Sequence, residues 1–220
     1  MTNERLLKKL NEIKGTIERS EYIKGYGLLT DLCKSIESDL RLDITKQTKG
    51  ASAAKRQKSA EKYLKGNYTM TGREWTQYAF DVNYDGNNYQ CMLNGYTAFM
   101  FNDDGRLDLP NTPSGIEKPD IIALYKSLLN NTIDITEFFN IDDIKLYSKS
   151  ISKGDYIKKP YVIEIADGVK IGFNIGYLMS IYEILGGNIK FYTGKNPSIT
   201  TLRCESENGT ALICPVRLKK

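Results

Sequence analysis

The chain has 220 residues, 40% of them hydrophobic and 10% aromatic, with a net charge of +4 and no histidine. That length and composition can bury one large core or two small ones, and no run of about 18 apolar residues is present to span a bilayer. The absence of imidazole removes the commonest general base and metal ligand, and with them serine and cysteine triads in their usual form.

The opening residues, MTNERLLKKLNEIK, carry charges where a secretory signal has an apolar segment, which predicts a cytoplasmic location. Residues 1 to 65 are rich in Lys, Glu, Leu and Ser and contain no proline. Helical spacing at Leu6, Leu10, Ile13 and Ile17, and again at Leu28, Leu32, Ile36 and Leu40, predicts helices over 2–19 and 26–41, with a third over 51–65. The third lies in a basic stretch, KQTKGASAAKRQKSAEKYLKGN (46–67), which holds Lys55, Arg56, Lys58, Lys62 and Lys65 against one acid, Glu61. On a helix Lys55, Lys58, Lys62 and Lys65 share a face through three- and four-residue spacing, while Ala54, Ala60 and Leu64 are free to pack. Such a row of cations suits DNA phosphates, with Arg56 counted among the contacts. The alternative is a solvated linker helix.

The composition changes near residue 66, giving expected divisions of a helical region over 1–50, a basic helix or linker over 51–66, and a third part over 67–220. Tyr, Thr, Val, Ile and Phe now dominate, with hairpin-forming pairs at Asp85-Gly86, Asn94-Gly95 and Asp167-Gly168. Ile163 and Ile165 on one side of the last pair, and Val169, Ile171 and Phe173 on the other, predict a hairpin with one buried face. Trp75, after Gly72-Arg73-Glu74, reads as a core or interface anchor. Tyr78, Tyr84, Tyr89 and Tyr96 fall in strand-like runs, where tyrosine fits a half-buried pleated surface. The carboxylate pairs Asp103-Asp104 and Asp142-Asp143 are the remaining candidates for a magnesium site, and a turn is the simpler reading. Cys33, Cys91, Cys204 and Cys214 form no C-x-x-C pair and read as reduced, mostly buried thiols.

Two segments offset by about 56 residues match in character: IIALYKSLLNNTIDI (121–135) lies over YLMSIYEILGGNIKF (177–191). Each predicts a helix, a two-residue break and a strand edge. Asn174 is placed to cap the second helix and Gly186-Gly187 to end it, while in the first Pro119 fits the opening turn and Asn130-Asn131 takes the place of the glycines. The stripe Ile175, Leu178, Met179, Tyr182 and Leu185 faces a sheet in this reading. Two helices on one side of antiparallel sheets, in the α+β class, is the architecture that follows.

The stretch IGFNIGYLMSIYEILGGNIKFYT, then a hairpin, then ALICPVRL resembles the last part of the bacterial sliding clamp, the β subunit of DNA polymerase III. In that family a strand ending in Phe-Asn precedes an apolar helix and the chain closes on Pro-x-Arg-Leu. CMLNGYTAFMF (91–101) is similar to the family's Asp-Gly strand pair, although Leu93-Asn94-Gly95-Tyr96-Thr97 stands where Thr-Asp-Gly and a basic residue are usual. The resemblance covers about 50 residues at the C-terminus, is weak over 67–150 and does not extend to 1–50.

The resemblance implies sliding-clamp-like units of helix plus antiparallel sheet after the N-terminal helical region. It implies a non-enzymatic accessory protein of DNA replication or repair with no cofactor, metal or catalytic residue. Its partners would be replication proteins such as polymerase, engaged through clamp-binding peptides, together with duplex DNA and further copies of the chain. Carried over, the peptide pocket involves Gly95, Tyr96, Ile213, Pro215, Val216, Arg217 and Leu218. The alternatives are a phage or mobile-element regulator that binds host replication proteins and a metal-dependent nuclease.

Overall fold

The structure, a computed structural model, describes residues 3–18, 22–156, 158–165 and 168–218. The chain forms two compact units, 1–54 and 55–220. The first contains helix α1 (Asn3–Glu18) and the start of helix α2 (Tyr22–Thr71). Within it Ile13, Thr16 and Leu32 are buried, and the Thr16 hydroxyl donates to the Glu12 carbonyl at 2.8 Å. Leu10 is exposed rather than buried, and the side chains of Leu6 and Ile17 lie outside the described residues.

The connection expected between a second and a third helix is itself helical up to Lys49. Residues 28–49 contain neither glycine nor proline, so nothing stops the helix before Gly50. There φ is +88° and ψ 173°, a conformation that only glycine adopts cheaply, and helical backbone resumes beyond it. No helix of the described residues is long and apolar enough to cross a membrane.

The second unit is α+β. Among its described residues seven strands form one antiparallel sheet in the order β1-β2-β3-β9-β8-β7-β4. These are β1 (Phe80–Tyr84), β2 (Asn87–Leu93), β3 (Thr97–Phe101), β4 (Ile133–Asp134), β7 (Lys190–Thr193), β8 (Leu202–Ser206) and β9 (Gly209–Ile213). A separate ribbon pairs β5 (Tyr161–Ile165) with β6 (Val169–Phe173). The expected turns hold where they are described. Asp85 (φ 52°) and Gly86 (φ 78°) both take the left-handed conformation that a tight β1–β2 turn demands. The predicted β5–β6 hairpin forms with Ile163 opposite Ile171 and both buried, and Asp167 of its turn lies outside the described residues.

The helices correct the one-sided arrangement. Along β3, Ala98 and Met100 join a cluster with Ile121 and Leu128 of α3 (Ile121–Leu128). Phe99 and Phe101 join another with Leu178, Ile181 and Leu185 of α5 (Ile175–Leu185). Successive side chains of a strand point to opposite faces, so α3 and α5 lie on opposite sides of the sheet. The proposed repeat therefore does not place its two helices in one layer. Instead α4 (Ile141–Ser150) packs beside α5, burying Ile144. This cover explains why Ile181 and Ile184 of α5 are as buried as its sheet-facing stripe, while Met179 and Tyr182 are only partly so. As expected, the Asn174 side chain caps α5, accepting from the N–H groups of Gly176 (2.9 Å) and Tyr177 (3.4 Å), and Gly186 ends it with φ 65°. α3 starts on an Asp120 cap rather than at Pro119.

Arg56 binds the pieces of this unit together. Its Nε donates to the Ile184 carbonyl at 2.8 Å, Nη1 to Asn208 Oδ1 at 2.7 Å and Nη2 to the Gly105 carbonyl at 3.0 Å. One side chain thus joins α2, the end of α5, the β8–β9 turn and the loop after β3. Burial lowers the guanidinium pKa and Glu207 acts the other way, and the group stays charged at neutral pH.

Arg56→Ala leaves two buried carbonyls without donors, each costing about 1–3 kcal/mol. A loss of about 3 kcal/mol, read from the urea midpoint, is the expected result. Burial also raises the acid groups of Tyr63, Tyr182 and Cys204, and pushes Tyr177 and Cys91 up to about 12. Unfolded thiols and phenols ionise near about 8.5 and about 10 respectively. Stability from these groups is therefore complete below those values and declines as pH rises toward about 12. Melting temperatures recorded from neutral pH upward should be flat at first and then fall across that alkaline window.

Candidate functional site

The turn between β2 and β3 is built from buried polar groups. Asn94 is 1% exposed, and its Oδ1 accepts from the N–H groups of Tyr96 and Thr97, each at 2.9 Å, and from the Thr97 hydroxyl at 3.2 Å. Its amide donates to Asn67 Oδ1 at 3.0 Å, and the Tyr63 hydroxyl meets Thr97 Oγ1 at 2.5 Å, so α2 supports the turn from within. The result is a fixed platform that leaves Tyr96 55% exposed. Its ring stacks on Tyr177 with centroids 5.8 Å apart and planes 16° apart.

Strand β9 runs beside this turn. Thr97 pairs with Ile213, and the Cys214 N–H donates to the Tyr96 carbonyl at 2.9 Å. Between the turn, the strand and α3 lies a small cleft of about 40 Å³, open to solvent. Gly95 and Tyr96 line it from the turn, Leu212 and Cys214 from the chain end, and Leu93 and Leu124 from β2 and α3. Its wall is largely hydrocarbon, suited to an inserted apolar side chain.

Of the residues expected at a pocket, Gly95 and Tyr96 are in this cleft and the rest are elsewhere. Ile213 is fully buried in the core on the α5 side. Pro215, Val216, Arg217 and Leu218 do not line it. Val216 instead donates its N–H to the Gly172 carbonyl on β6 at 2.8 Å. Strand alternation explains the correction for Ile213, since its neighbours Leu212 and Cys214 must face the other way, whereas β9 ends at Ile213 and Val216 is drawn to Gly172. That signal is in the sequence. The approach of Leu124 is not, because it depends on which sheet face α3 covers.

The basic helix divides similarly. Lys55, Lys58, Lys62 and Lys65 are all exposed, as the spacing predicts. Arg56 is 6% exposed and committed to the three acceptors described above, which removes it from the phosphate-binding set. Glu61, the acid of this stretch, is buried, and its Oε1 accepts from Gln57 at 3.4 Å. The exposed charges of residues 51–66 are therefore all cationic.

The carboxylate pairs take structural places. Asp103 and Asp104 form a turn with Gly105, and Asp142 and Asp143 occupy the first turn of α4, where Asn140 caps both N–H groups. Among the described residues no three His, Cys, Asp or Glu gather into a group able to hold a metal ion. All four thiols are free, with Cys91 and Cys204 buried, Cys214 half-buried and Cys33 exposed. Trp75 packs partly buried against the α3-side cluster with Arg73 stacked on it, 6.0 Å from the ring centre. Comparison of the chain with family models, curated proteins and solved structures returned no match.

A small thiol reagent at pH 8 should modify Cys33 and Cys214 in the native protein. Burial pushes Cys91 to about 12 and holds Cys204 well above its ordinary value, so these two should react only after denaturation. Mass spectrometry of labelled peptides reads the outcome.

Proposed function

We propose that this chain is a non-enzymatic, sliding-clamp-like accessory protein of DNA replication or repair, and that its cleft captures short apolar segments of replication proteins. The observation that carries the reading is the meeting of the Gly95-Tyr96 turn with the terminal strand. The resemblance joined these two segments, far apart in the chain, and they flank one apolar cleft. Partial burial of one apolar side chain there contributes less than the about 1.5–3 kcal/mol that full burial would give. Micromolar binding needs about 8 kcal/mol, so flanking residues of the peptide must add contacts around the anchor. Tyr96, exposed at the rim and held by its stack on Tyr177, supplies a rigid aromatic surface for them.

The cationic face of α2 adds duplex DNA as a second partner. Four lysines on one face neutralise several phosphates without reading sequence, and such binding weakens steeply with salt.

A second reading, a regulator that engages host replication proteins through its N-terminal helices, draws on a different observation. Ile23 is 93% exposed, Tyr26 74%, Leu40 56% and Ile44 54%, an unusual run of large apolar side chains on one helix. This reading places partner capture in unit 1 rather than at the cleft.

Fluorescence anisotropy with clamp-binding peptides separates the two. Under the first reading Leu124→Asp and Tyr96→Ala weaken binding at least tenfold, while Ile23→Glu with Tyr26→Glu leaves it unchanged. Equal binding by Leu124→Asp and the parent protein would refute the cleft. For DNA, titration of a duplex at two salt concentrations should give a slope of log K against log salt of about −3 to −4 if all four lysines engage phosphates. Changing Lys55, Lys58 and Lys62 to Glu should abolish that binding.

A further inference from the structure

Strand β6 pairs with β5 along one edge, Val162 opposite Gly172. On its other edge lies the end of the chain. Val216 forms an isolated antiparallel bridge with Gly172, its N–H donating to the Gly172 carbonyl at 2.8 Å. Leu218 sits directly over Gly172. A Cβ at residue 172 would fall 2.6 Å from Leu218 Cδ2 and 3.3 Å from Pro160 Cβ. Gly172 is not among the glycines with positive φ, so its backbone conformation is open to any residue. Space is the reason for glycine here: the missing side chain makes a notch, walled by Pro160, that Leu218 fills.

The attachment is slight. It consists of one main-chain bridge and two apolar side chains, Val216 and Leu218, that are only half-buried, with Arg217 exposed between them. An extended segment bound by edge pairing, with alternate side chains in pockets, is a recurrent mode of peptide recognition. We propose that the β6 edge and the Gly172–Pro160 notch form a docking site for an extended apolar-basic-apolar peptide, and that residues 216–218 of the chain plug it in cis. The tether gives the tail a high effective concentration, so a free peptide competes poorly until the tail is released. The site is distinct from the cleft of the proposed function and does not depend on that reading.

The test uses the full chain and a fluorescein-labelled synthetic peptide of residues 215–220. Leu218→Asp removes the plug's side chain and should bind the peptide at least tenfold more tightly than the parent protein. Adding Gly172→Val to that variant fills the notch and should abolish the gain. Where circular dichroism shows that Leu218→Asp does not fold, Val216→Pro, which deletes the bridging N–H, serves as the second release variant with the same expected gain. Equal binding by the parent and a folded release variant, no binding by any folded release variant, or binding that survives Gly172→Val would each overturn the proposal.

Discussion

The sheet of the second unit depends on the position of its last strand. β9 lies between β3 and β8, so the ribbon β1-β2-β3 and the ribbon β8-β7-β4 become one sheet only when residues 209–213 are in place. Both faces of this strand are buried, Leu212 toward α3 and Ala211 and Ile213 toward α5. The core cannot close on either side before residues 209–213 have arrived, which makes the decisive contacts long-range and their formation slow relative to local helix formation.

Arg56 fixes the result. It reaches from α2 to the β8–β9 turn, the end of α5 and the loop after β3, and its aliphatic stem and guanidinium lie beside Gly186 and the Phe101 ring. A buried cation is tolerated because its donors are satisfied, two of them by the buried carbonyls of Ile184 and Gly105. The same holds for Asn94, whose amide satisfies the turn that presents Tyr96. Polar groups inside the unit thus determine the shape of its surface at the cleft.

Local chemistry was legible in the sequence and layer assignment was not. The Asn174 cap, the Asp85-Gly86 turn and the pairing of Ile163 with Ile171 each follow from residues within a few positions of one another. The faces covered by α3 and α5 do not, because β3 reads Thr-Ala-Phe-Met-Phe and is buried throughout. A strand apolar on both sides carries no alternation to say which helix lies where. Arg56 groups with the lysines by charge, although it sits on the buried face with Gln57, Ala60 and Leu64. The helical spacing of those residues holds the clue, and the counterparts of the guanidinium, more than a hundred residues away for Ile184 and Asn208, do not appear in any local window. At the cleft, Gly95 and Tyr96 came from the resemblance, whereas Leu212 and Cys214 required only the period of a strand.

The meeting of the β2–β3 turn with β9 is the proposed peptide-binding surface. Nitrogen–proton correlation spectra of the labelled chain, titrated with a clamp-binding peptide, examine that claim at residue resolution. Shifts concentrated at Gly95, Tyr96, Ala98, Leu212 and Cys214, saturating together, are what the account predicts. A spectrum that stays unchanged at these amides through saturating peptide, or moves only at residues of the N-terminal unit, would contradict it.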